Sequence, residues 1–115
     1  MSYIVWVSIA TGPESSLDSD CMEYNQRQSR GDDSIHSRLL LKNFIDKIPT
    51  FNGMIASNAA ISILSLIKTL NSNTISFEDD TYVFDDYQSL LVFFGNMREL
   101  FLSHPNATVV VGVQQ

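Results

Sequence analysis

The chain has 115 residues, enough for one domain with a core that needs no disulfide or metal staple. A hydrophobic fraction of 44% with 17% charged residues excludes wholesale disorder. Thirteen acidic against seven basic side chains give a net charge of −6, which repels nucleic-acid phosphates and anionic membrane surfaces and either suits a basic partner or simply provides solubility.

In chain order, the β-branched and aromatic run from Tyr3 to Ala10 predicts a buried strand, stopped by Gly12-Pro13. At eight residues it is too short to span a bilayer. Residues 13–33 are polar, with Leu17, Cys21 and Tyr24 at helical spacing, and read as either a long loop or a short helix. Ser34 is placed to cap a helix that runs to Ile48, with Leu41, Phe44, Ile45 and Ile48 on one stripe and Pro49 as its stop. A second helix is expected over 54–70. Its stripe includes Ile55, Ala59, Ile63 and Leu70, while Met54, Ile61 and Leu66 fall off it.

Thr74–Phe77 and Thr81–Phe84 read as two strands about an acidic turn at Glu78-Asp79-Asp80. Asp85 or Asp86 then caps a helix to Ser103 with the stripe Tyr87, Leu90, Leu91, Phe94, Met97 and Phe101. His104-Pro105 ends that helix, and Ala107–Val113 is the last strand. This order predicts a single domain over residues 1–115, of the α+β (or α/β) class. A mixed three- to four-stranded sheet carries three to four helices packed on it.

Motifs for chemistry are missing. His36 and His104 stand apart from each other and from Cys21, without metal-ligand spacing. The acidic run lacks the spaced ligands and glycine of a calcium loop. No phosphate-binding glycine loop or nucleophile elbow occurs. The sequence therefore predicts no catalytic residues, no metal and no cofactor. The lone Cys21 allows no internal disulfide, which fits a reducing, cytoplasmic location. Its acidic neighbours Asp18, Asp20 and Glu23 disfavour a reactive thiolate.

Charge is segregated along the chain. Residues 1–33 carry six acidic and two basic side chains, residues 34–73 one and four, and residues 74–115 six and one. Glu78, Asp79, Asp80, Asp85 and Asp86 form the densest block, with Tyr82 and Tyr87 interleaved as candidate aromatic anchors. Asp18, Asp20 and Glu23 form a second candidate edge. Such surfaces steer basic partners and pair with their Lys and Arg side chains.

In size, acidity and helix-on-sheet layout the chain resembles the immunity proteins of bacterial toxin systems, a likeness of general character that no single motif carries. Acidic inhibitors made by phages share these features. The resemblance implies a non-enzymatic inhibitor that masks the active site of a basic nuclease toxin. Two alternatives accompany it. One is a structural or adaptor subunit that joins an oligomer through Met54, Ile61 and Leu66. The other, less favoured, is an enzyme whose His36, His104 or Cys21 converge with other polar groups in the fold.

Overall fold

A computed structural model describes residues 3–10, 21–26, 35–73 and 81–114. Three strands, β1 (Tyr3–Ala10), β2 (Met22–Gln26) and β3 (Thr108–Gln114), form one sheet in the order β2-β1-β3. Both pairs are antiparallel, so the sheet is not of mixed direction. Among the described residues there are three α-helices, α1 (Ile35–Ile45), α2 (Ala56–Ser72) and α3 (Thr81–Ser103), with a 3₁₀ turn at Ile48–Phe51. The class is α+β. No described helix is long and apolar enough to cross a membrane.

The register fixes which face each side chain occupies. Val5 lies opposite both Tyr24 and Val113, and Val7 opposite both Met22 and Val111. The odd positions Val5, Val7 and Ile9 are fully buried, and Tyr24 and Val109 join them under the helices. The even positions Ile4, Trp6, Ser8 and Ala10 therefore point to the opposite face. There they are flanked by Glu23 and Asn25 of β2 and by Val110 and Gly112 of β3.

Residues 22–26 form a strand where a loop or short helix was expected. The Met-Glu-Tyr-Asn-Gln segment alternates between the two faces, and its edge pairing with β1 outweighs the helical spacing of Leu17, Cys21 and Tyr24. Thr81–Phe84, expected as a strand, is the start of α3. Its β-branched and aromatic residues favour a strand locally. However, Val83, Tyr87, Leu90, Phe94, Met97 and Phe101 recur at steps of four and three and are all buried, so packing extends the helix upstream. Asp85 and Asp86 consequently lie inside α3, past its first turn, and are not its caps.

Helix α1 ends at Ile45, three residues earlier than its stripe suggests. The chain continues through a turn into the 3₁₀ segment, where Pro49 sits in the first positions. A missing N–H costs nothing there, since no intrahelical acceptor awaits it. Ile48 remains buried on the expected stripe. The second helix begins at Ala56 and runs to Ser72. Ahead of it, residues 52–56 lie along the outer edge of β3. Gly53 N–H donates to the Val109 carbonyl (2.8 Å), Val109 N–H donates to the Met54 carbonyl (2.8 Å), and Ile55 bridges Thr108. Gly53 adopts φ 86°, a left-handed conformation that favours glycine. The expected strand at 74–77 and the Ser34 cap lie outside the described residues.

Candidate partner-binding surface

The face of the sheet away from the helices is centred on Trp6. A glycine faces it on one side: Gly112 is its β3 partner, and a Cβ placed there would lie 3.4 Å from Trp6 Cε3. The ring thus leans toward the glycine backbone, an arrangement in which an aromatic side chain covers a cross-strand glycine. On the other side, the β2 partner Glu23 accepts the indole N–H at 3.0 Å through Oε2. Asn25 Nδ2 donates to the other carboxylate oxygen, Oε1, at 3.1 Å. Glu23 and Asn25 are exposed and Trp6 is half-buried, whereas Ser8 on the same face is buried. A carboxylate offers about four acceptor sites, so Glu23 keeps capacity for a further donor.

A second polar cluster lies on the helix side. Arg38 of α1 reaches Asp86 of α3 at 2.7 Å, with side-chain exposures of 8% and 17%. The Tyr24 hydroxyl sits 3.5 Å from the Asp86 main-chain carbonyl, at the outer limit of a hydrogen bond. Its ring stacks obliquely on Phe93 with centroids 5.3 Å apart. Burial, and after it the Asp86 carboxylate, raises the Tyr24 hydroxyl well above its ordinary value of 10.0, with Arg38 pulling the other way. These groups join α1, α3 and β2. The cluster is an internal tie between elements, with its one described carboxylate already paired.

The residues expected to meet a partner are thus divided. Glu23 is exposed on the Trp6 face of the sheet, and Asp85 is exposed on α3. Asp86 instead points inward to Arg38. Tyr87, expected as a surface anchor, is 1% exposed and donates from its hydroxyl to Asn71 Oδ1 at 3.2 Å, so it is a core residue. It continues the buried stripe of α3, and a helix places a residue four after Val83 on the same side. Tyr82 falls in the first turn of α3. Asp18, Asp20, Glu78, Asp79 and Asp80 lie outside the described residues.

Other candidates are scattered. Cys21 is exposed just before β2, His36 is exposed at the start of α1, and His104 follows the end of α3. Among the described residues no group of three or more His, Cys, Asp or Glu side chains could hold a metal ion. The adaptor patch does not assemble as expected. Ile61 is 72% exposed, whereas Met54 and Leu66 pack partly against the core. Trp6 and Asn25, absent from the expected set, were signalled by the odd and even parity of β1 and by the alternation of β2. Comparison with protein-family models, curated proteins and solved structures gives no match to this chain.

Proposed function

We propose that this chain is a non-enzymatic binding protein of the immunity type, which neutralises a bacterial toxin, a basic nuclease, by covering its active site with an acidic surface. The supporting observation is the Trp6–Glu23 pair on the face of the sheet opposite the buried Val5, Val7 and Ile9. Tryptophan is enriched among residues that dominate binding energy, and here its indole is already oriented by a carboxylate that can accept from Lys or Arg. A preoriented side chain loses less freedom when it binds. Asp85 on α3 and the Glu78-Asp79-Asp80 run add negative charge that steers a basic partner, with Tyr82 as a flanking aromatic. Asp18 and Asp20, close before Glu23 in sequence, add to the negative charge of the chain. In this reading the protein acts in the cytoplasm and needs no cofactor.

The test is affinity capture from the native host with the tagged chain, washed at low and then high salt, followed by mass spectrometry. One basic protein bound stoichiometrically and released by salt is the expected result. Its loss on Trp6→Ala places the contact on this face. Capture of no basic protein in either wash rejects the reading.

An adaptor subunit is the second reading. It is favoured by Ile35 and Leu39, which are 78% and 57% exposed and stand four residues apart on α1. Spacing of four puts them on one face of the helix. Salt-insensitive self-association in sedimentation, abolished by Leu39→Glu, would select it.

A further inference from the structure

We infer that the basic partner docks by adding an extended segment to the open edge of β2. This inference rests on the binding-protein reading above and names the mode of contact. The two edges of the sheet differ. The β3 edge is closed from outside by the Gly53 and Met54 main chain on Val109, and by Asn52, whose Oδ1 accepts the Val111 N–H at 2.9 Å. β2 is the other edge strand, and no described segment pairs with it from outside.

The hydrogen-bond alternation of antiparallel strands fixes what that edge presents. In such a ladder, residues exchange main-chain bonds with one neighbour and turn away from it by turns. Val109 bonds outward, so Ile9 and Val109 are a non-bonded pair, and the even residues of β1 bond to β3. The odd residues of β1 then bond to β2, through Val5 with Tyr24 and Val7 with Met22. Glu23 and Asn25 therefore turn their N–H and C=O groups to the outside. They are two residues apart, which is about 6.8 Å along a strand, the repeat that an added strand needs.

Charge selects the occupant. A second copy of this chain would bring Glu23 of one strand beside the same edge of another, between two bodies of net charge −6. Like charges across a strand pair are destabilising, and charged side chains on edge strands deter self-pairing. A segment with Lys or Arg at alternate positions would set a cation beside Glu23 while its main chain completes the bonds of Glu23 and Asn25. The Trp6 ring lies next to Glu23 on the same face and supplies apolar cover.

The experiment is amide exchange by NMR on the full ¹⁵N-labelled chain, with an end-blocked Lys-Val-Lys-Val-Lys-Val-Lys peptide as probe and its Glu-Val counterpart as control. The basic peptide should slow exchange at Glu23 and Asn25 on the order of tenfold, with little change at Tyr24, whose N–H is already in the ladder. Asn25→Pro removes one outward N–H without touching the bonds to β1 and should abolish the effect, whereas Asn25→Ala should keep it. Unchanged exchange at Glu23 and Asn25, equal protection by the acidic peptide, or protection by self-association without peptide would each overturn the inference. A captured basic partner that leaves both amides unprotected defeats edge docking and spares the inhibitor reading. Peptide protection without any captured partner does the reverse.

Discussion

Removing one member of the Arg38–Asp86 pair leaves the other charge among buried side chains. Breaking such a pair costs about 3–5 kcal/mol, and the partial exposure of Asp86 places this case at the lower end. Arg38→Met and Asp86→Leu, each made alone, should both lower the midpoint of urea unfolding. The double variant should recover most of the loss, because it leaves no unpaired charge. A double variant as unstable as the sum of the singles would show that the two side chains act independently. Tyr24 carries a pH signature from the same cluster. Its hydroxyl is raised in the folded state, so the folded form holds the proton more tightly than the unfolded chain does. The stability this supplies is complete below pH 10 and falls as pH rises above it. Tyr24→Phe should flatten this alkaline loss in urea melts run across that range. Equal alkaline slopes for the two proteins would remove Tyr24 as the source.

At the scale of elements, two glycines should respond to alanine with opposite signs. Gly53 holds φ 86° with no atom within 4 Å of an added Cβ, so Gly53→Ala costs only the left-handed backbone, about 1–2 kcal/mol. Gly95 lies inside α3, also with open space around an added Cβ, and Gly95→Ala should stabilise by about 0.5–1 kcal/mol. Thermal melts of the two variants check both signs. The same elements show what could be read from the sequence. The terminal strands and most of the three helix stripes were legible because their apolar periods agree with their burial, whereas Ile55, expected on the second stripe, is 50% exposed and bridges Thr108. Leu41, Ile45, Ile63, Leu90 and Phe94 are all fully buried as expected. The start of α3 was not legible, because Thr-Tyr-Val-Phe favours a strand and only burial of Val83 against the core decides for helix. β2 was hidden for a related reason, since a five-residue alternation gains meaning only from its pairing with β1. The inward turn of Asp86 depends on Arg38, 48 residues away, a separation that local pattern cannot bridge. The Trp6–Glu23 contact needs the register of two strands for the same reason.

For the whole molecule, the Arg38–Asp86 pair changes which carboxylates should be tested as a binding surface. It removes Asp86 from the exposed set and ties its loss to folding. The variant that isolates surface charge is therefore Glu78→Gln, Asp79→Asn, Asp80→Asn and Asp85→Asn together, with Asp86 left intact. It takes the net charge from −6 to −2. Exposed charges act mainly on the rate of encounter, and salt screens them over about 10 Å at 0.1 M. Association with the captured basic partner should slow on the order of tenfold at low ionic strength, with dissociation little changed. The rates of the parent and the variant should converge as salt is raised. Thermal unfolding should stay close to that of the parent, since Asp86 keeps its pair with Arg38. Trp6→Ala should behave in the opposite way, speeding dissociation at every salt concentration because it removes buried contact area and not long-range attraction. If the fourfold variant associates at the parent rate at low salt, the acidic block does not steer the partner, and the contact rests on the sheet face alone.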